Sequence, residues 1–290
     1  MERVSFTNSQ GETIVFDGPP FYLQSVEGLG DVSADIQRQK SAYTDGSAFI
    51  DAILDDREID IDFVIAAAYD ERYGDVSERR RIASRILNPK LGLGTLKYEN
   101  EAVTRYIDCV ADSVPQYPDG GSRSLHLQVA KVTFIAPSVY WLGETINEPP
   151  VFIPLFKWPI EAHKKYLMGM QVNERVIEND GDGASPIYCE IHGPALNPSI
   201  TNETTGKYIQ LNVELKRGES IIIDNHLDRL GITFIDHNGN ESNGMKHLVL
   251  SSSLASFEIM PGKNKIKFHS ENGLHKRSFL MQWNKRYNAV

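Results

Sequence analysis

Residues 57–65 read Arg-Glu-Ile-Asp-Ile-Asp-Phe-Val-Ile, so Ile59, Ile61, Phe63 and Ile65 alternate with Glu58, Asp60 and Asp62. Successive side chains of a strand point to opposite faces, and this segment therefore belongs at a boundary, with one face on an apolar core and the other acidic. The one convincing helical pattern of the chain follows it. Asp75 can accept from the free amides of the next turn while Glu78 reaches back, a capping box with Asp as the cap. Val76, Ile82, Ala83, Ile86 and Leu87 fall on one side of that helix and Arg79, Arg80, Arg81 and Arg85 on the remainder. Pro89 excludes Asn88 from the α region and stops the helix near Leu87. A lone helix of about three turns has to lay its apolar stripe on a sheet.

Four arginines within seven residues raise the question of nucleic acid. The neighbouring strand is acidic and no aromatics are interleaved to stack bases, so the run reads instead as a solvated, ion-pairing face. Should the protein assemble, that face and the Glu58, Asp60, Asp62 face are candidates to meet across subunits, because opposite charges steer association.

Charge is unevenly distributed. Residues 1–145 carry 14 Lys+Arg against 23 Asp+Glu and residues 146–290 carry 16 of each, so the whole net charge of −9 sits in the first half. An acid surplus of this kind argues against a general DNA or membrane-surface binder. No apolar run is long enough to span a bilayer, and the first residues lack the basic and apolar regions of a signal peptide, so synthesis and residence in the cytoplasm are expected. Cys109 and Cys189 form neither a CxxC pair nor a disulfide framework and read as buried, free thiols.

In chain order, residues 1–16 read as a hairpin and residues 21–26 as a strand. The polar segment 27–52, with Gly28, Gly30, an alternating run through Ala34 and Ile36, and the turn signal Thr44-Asp45-Gly46-Ser47, has strand character but little to bury. It is either a surface hairpin or an arm that is buried only against a partner. Residues 106–111 and 124–135 are strands, and the prolines at 149, 150, 154 and 159 look like a domain boundary. The second half offers strands at 164–173, 187–191, 207–215, 219–223, 231–235, 257–259, 265–268 and 278–283, divided by Asn/Gly and Pro/Gly turns. Such spacing means an antiparallel sandwich or barrel, and with 290 residues, 41% apolar, two cores are expected.

Catalytic or metal chemistry finds little support. His126, His163, His192, His226, His237, His247, His269 and His275 show no zinc spacing. Asp180-Gly181-Asp182-Gly183 lacks the remaining ligand positions of a calcium loop and reads as a tight turn; Thr204-Thr205-Gly206-Lys207 lacks the leading glycine and helix of a phosphate loop and reads as a hairpin turn. No Gly-x-Ser-x-Gly is present. No catalytic residue, metal ligand or cofactor is expected.

Taken together, Arg57-Glu58-Ile59, the helix 75–87, Asn88-Pro89-Lys90 with Gly94-Thr95-Leu96-Lys97-Tyr98, Phe134-Ile135-Ala136-Pro137 with Tyr140-Trp141, Gly193-Pro194-Ala195-Leu196-Asn197-Pro198 and Pro261-Gly262-Lys263-Asn264-Lys265 follow a specific order. In that order the chain resembles the distal tail protein (Dit) family of long, non-contractile-tailed bacteriophages. The resemblance implies a mainly β protein with one short helix. Residues 1–145 would be a β-sandwich-like, ring-forming domain with a helix and an extended hairpin arm, and residues 146–290 a galectin-like β-sandwich. It further implies a homo-hexameric ring at the virion tail tip, joining the tail tube protein to baseplate, fibre or lysin-type proteins, with the tape measure protein a further candidate partner. DNA would pass through the ring without specific nucleic-acid binding, and no membrane is involved. Gly30, Ala34, Ile36, Tyr43, Asp45 and Gly46 of the arm, with the acidic and arginine faces above, are the candidate subunit-interface residues. The alternative is a carbohydrate-binding β-sandwich module that contacts a host-cell glycan.

Two tests follow from the residues. Deleting residues 30–47 is expected to weaken assembly with both domains still folded, as read by light scattering and circular dichroism. Raising salt above about 0.1 M, where the screening length is about 10 Å, is expected to loosen contacts made by Arg79, Arg80, Arg81 and Arg85, seen as a falling mass in the same measurement.

Overall fold

A computed structural model describes residues 2–66, 76–123, 126–148, 152–153, 170–171, 174–272 and 279–290. The chain divides into two units, Met1–Gly143 with Tyr287–Val290, and Glu144–Arg286. The prolines read as a boundary, the Asp75 cap, His163, His275 and most of the strand expected at 164–173 lie outside the described residues.

The first unit contains β1 (Arg3–Thr7), β2 (Thr13–Val15), β3 (Asp17–Gly18), β4 (Phe21–Glu27), β5 (Ala34–Gln39), β6 (Ala48–Leu54), β7 (Arg57–Ala66), α1 (Val76–Ile86), β8 (Gly94–Glu99), β9 (Thr104–Ala111), β10 (Leu127–Ala136) and the start of β11 (Trp141–Glu148). One antiparallel layer is ordered β2-β1-β8-β9 and the other β10-β7-β4-β3. Residues 104–109 of β9 pair with β8, whereas Val110 and Ala111 pair with Ile135 and Phe134 of β10, so a single strand passes from one layer to the other.

The alternation of β7 decides what lies between the layers. Ile59, Ile61, Phe63 and Ile65 are fully buried against Val4, Phe6, Ile14, Leu96, Tyr98, Ile107 and Cys109. Phe16 and Phe63 rings sit 5.0 Å apart and Phe6 and Phe134 rings 4.8 Å apart. Burying each such side chain contributes roughly 1.5–3 kcal/mol. Helix α1 adds Val76, Ala83 and Ile86. It ends where Asn88 turns extended, at φ −84° and ψ 117°, and its side chain accepts from the Lys90 amide. The proline at position 89 accounts for that geometry.

The second unit is a sandwich of two antiparallel sheets, accompanied by two short pairs, β12 (Phe152–Ile153) with β13 (Met170–Gln171) and β16 (Ala195–Leu196) with β19 (Glu214–Leu215). Strands β14 (Glu174–Asn179), β17 (Ser199–Asn202), β18 (Lys207–Gln210) and β23 (Gly262–His269) lie in the order β14-β23-β17-β18. Strands β15 (Ile187–His192), β20 (Ser220–Asp224), β21 (Gly231–Ile235), β22 (Glu241–Asn243) and β24 (Phe279–Tyr287) lie in the order β22-β21-β20-β15-β24. The sheets meet through Ile177, Ile200, Ile266 and Phe268 on one side and Cys189, Ile191, Ile221, Ile223 and Trp283 on the other. Phe268 and Phe279 rings approach to 4.9 Å.

Two expected strands are cut short, and β14 and β17 are strands that the sequence reading did not offer. The strand expected over 207–215 breaks after Gln210, because the Asn212 amide donates to the His247 carbonyl instead of a ladder partner. The strand expected at 257–259 reduces to one bridge, Ile259 with Ser185, after a 3-10 turn at Leu254–Ser256. Both segments are apolar enough for strands, but their polar backbone groups are taken by loops distant in sequence.

Truncating Phe63 to Ala, at a site with no solvent exposure, is expected to cost about 3–5 kcal/mol in chemical denaturation. Val176→Ser on an exposed strand face of the second unit is expected to change stability by less than about 0.5 kcal/mol.

Candidate functional site

The most exposed apolar surface of the first unit is a hairpin. Among the described residues β5 and β6 pair only with one another and form a separate two-stranded sheet. Register places Ala34 opposite Leu54, Ile36 opposite Ala52 and, past a bulge after Gln37, Arg38 opposite Phe49; these share one face. Asp35, Gln37, Asp51 and Ile53 share the other. Ile36 is 57% exposed and Phe49 68%, with Ile50, Ile53 and the tip residue Tyr43 also exposed. Tyr43 has φ 66° and Gly46 φ 85°, the left-handed geometry that reverses the chain at the tip, where Asp45 is exposed as well. An isolated two-stranded hairpin is marginal in water. One that keeps an apolar face in solvent is shaped to be covered.

The hairpin leaves the sandwich through a narrow root. The Asp55 amide donates to the Ser33 carbonyl at 3.0 Å and the Ser33 hydroxyl to the Asp55 carboxylate at 2.9 Å, which closes the base. Gly28, at φ +85°, packs so closely that a Cβ there would collide with the Glu58 carbonyl oxygen. Beside it opens a cleft of about 690 Å³ lined by Glu27, Asp31, Asp55, Asp56, Glu58 and Asp60. Asp60 is held by the Lys131 ammonium at 2.8 Å and by the Thr133 hydroxyl, and these bonds lower its pKa below the ordinary carboxylate value. Asp62 accepts from the Ser25 hydroxyl at 3.0 Å. Of the acidic face read from the sequence, Glu58 is exposed, while Asp60 and Asp62 are half-buried and engaged within their own sheet.

The helix arginines divide in the same way. Arg81 is exposed, Arg80 lies over the Tyr117 ring at 5.8 Å, and Arg85 is exposed and pairs with Glu12 at 2.8 Å. Arg79 corrects the sequence reading, which placed it on the solvated side. It is 2% exposed and donates to the Ala66 carbonyl at the end of β7. The reason is positional: Arg79 stands three residues after Val76 and four before Ala83, on the buried stripe itself.

Elsewhere the chemistry is structural. Cys109 and Cys189 are buried thiols whose pKa values burial pushes upward. The 179–183 turn folds around the buried Asn179, whose amide donates to the Gly183 and Ile259 carbonyls at 3.1 and 2.9 Å. Among the described residues no three His, Cys, Asp or Glu side chains converge as metal ligands would, and no helix is long and apolar enough to cross a membrane. The sequence reading passed over Phe49, Ile50 and Ile53 in the arm; the apolar run Ala48-Phe49-Ile50 just past the turn was the available signal.

Residues 9–136 match the family profile of the phage tail protein RIFT-related domain, and residues 182–287 that of the siphovirus-type tail component, C-terminal domain. A crystal structure of the SPP1 Dit protein, presented as a paradigm of the hub adsorption apparatus in phages infecting Gram-positive bacteria, is similar over 99% of each chain, with TM-score 0.68 and 12% identity. Chains from the phage P2 baseplate in its activated conformation are also similar, all at 12% identity. With calcium the TM-score is 0.61, over 100% of this chain and 99% of that one; with strontium it is 0.60, over 100% of both. At this identity the likeness establishes the fold. No curated protein sequence matches.

Because the Lys131 and Thr133 bonds depress the folded-state pKa of Asp60, they contribute stability above the unfolded carboxylate pKa that is lost as pH falls through the folded value. Lys131→Met is therefore expected to destabilise the chain at neutral pH. The difference from the parent is expected to vanish in acid, below the depressed Asp60 pKa, when urea denaturation is repeated across pH.

Proposed function

The chain belongs to the distal tail protein family of siphoviruses, and from that premise we propose that six copies close into a ring that forms the hub of the tail tip. The observation that carries this reading is the exposed arm. Among the described residues nothing covers its apolar face, and the partner proposed to cover it is a second copy. Charge complementarity supports that choice of partner: the arm root is an acidic cleft, and helix α1 of the same chain presents Arg81 and Arg85 to solvent. Two different patches that attract one another make a head-to-tail contact, and such contacts close into rings. The hub joins the tail tube protein to the baseplate or fibre proteins. Its acidic first half suits a channel wall past which DNA slides without being gripped. The role is structural, with no catalytic step.

Replacing residues 34–54 by a two-glycine link is sterically mild, since Ser33 and Asp55 are already hydrogen bonded. The parent is expected to give hexamer mass by light scattering and six-fold rings in negative stain. The armless protein and Phe49→Asp are expected to remain monomeric with unchanged circular dichroism. Rings formed equally well without the arm would overturn the arm's role. A parent that stays monomeric at every concentration and binds a glycan would favour the carbohydrate module.

A further inference from the structure

The arm root is gripped at three consecutive residues. The Gly28 carbonyl accepts from Arg57 Nη1 at 2.8 Å, and the Leu29 carbonyl accepts from Trp141 Nε1 at 3.2 Å. Ala289 lies 3.5 Å from where Gly30 would carry a Cβ. Arg57 and Trp141 are both fully buried, with the guanidinium 5.9 Å from the indole ring. Burial lowers the pKa of Arg57 and the nearby Asp31 carboxylate opposes that shift.

The same guanidinium reaches two other places. Its Nε donates to the Val139 carbonyl at 2.9 Å and its Nη2 to the Asn288 carbonyl at 2.6 Å. The chain's final residues are thus fastened to the arm root through one side chain. Tyr287 and Val290 pack against the core of the first unit, and the Arg105 guanidinium stacks on the Tyr287 ring at 3.7 Å. The tail belongs to the first unit, yet it follows directly on β24, and Trp141 opens β11, in which the chain leaves that unit.

We propose that residues 287–290 are a strap that sets the pose of the arm, with Arg57 as the positioning residue that ties strap to root. A planar fork of fixed donors suits this task, because it reaches three carbonyls from one rigid group. Among the described residues no other sheet holds the arm, so in this proposal its direction is decided at residues 28–30. The strap concerns the arm itself, and only its consequence for assembly rests on the ring reading.

Hydrogen exchange read by mass spectrometry tests it on the full chain, on a chain ending at Arg286, on Arg57→Gln and on the double variant, all in monomeric fractions. The truncation and Arg57→Gln are each expected to accelerate exchange over residues 28–33 and 54–56 by about tenfold or more, with β10 and β15 unchanged. Because both remove one link, the double variant is expected to match the stronger single rather than multiply the two. Unchanged root exchange in the truncated chain overturns the strap, as does acceleration of β10 equal to that of the root. If Arg57→Gln does not fold, the truncation alone decides. Light scattering on the same samples separates the two readings: a loosened root in a protein whose parent never assembles upholds the strap and overturns the ring.

Discussion

Strand β7 is the constraint on which the first unit depends. It is hydrogen bonded on both edges, to β4 and to β10, and ten residue pairs fix its register against β10. A slip of one residue would turn Ile59, Ile61, Phe63 and Ile65 out of the core and the acids into it. No such alternative is tolerable, so the strand anchors both the core beneath it and the acidic cleft that borders it. The helix then covers apolar surface that β7 and β2 leave open.

The same strand begins with a buried cation. Charges are seldom taken fully out of water, and the cost is met only when the group's hydrogen bonds are satisfied. Arg57 donates to three backbone carbonyls, those of Gly28 in the arm root, Val139 after β10 and Asn288. A guanidinium that must find three carbonyls in fixed directions also fixes the segments that supply them. One side chain therefore ties the arm root to the turn after β10 and to residue 288. The sandwich gives the base, and the arm carries an apolar face that the described residues leave exposed.

The second unit shows a comparable use of buried polar groups. Asn179, Asn202, Asn225 and Asn264 are buried, and each donates its side-chain amide to loop carbonyls or to another buried asparagine. Two turns that look from sequence like ligand loops are organised this way: the Asn179 and Asn202 side-chain carbonyls accept from the Gly181 and Thr204 amides at 3.0 and 3.1 Å. Lys265 bridges Glu174 and Glu203 on an exposed sheet face at 2.9 and 2.7 Å. Such exposed pairs contribute little to stability singly, and the unit stands on its sandwich core.

Much of the fold was legible in the residues themselves. Alternation in 57–65 and 127–135 set strands and their buried faces, and the helix with its stop before Pro89 followed from spacing and one ring constraint, because these signals act within a few residues. The order of short motifs pointed to the tail family for the same reason. What the chain's tertiary structure alone decided lies at long range. Spacing already puts Arg79 on the apolar stripe with Val76 and Ala83, but only packing decides that its guanidinium is taken up by the Ala66 carbonyl at the end of β7. Among the described residues the arm strands pair only with one another, a fact that their own sequence does not state. Arg57 meets Asn288 across 231 positions, a contact no local periodicity encodes.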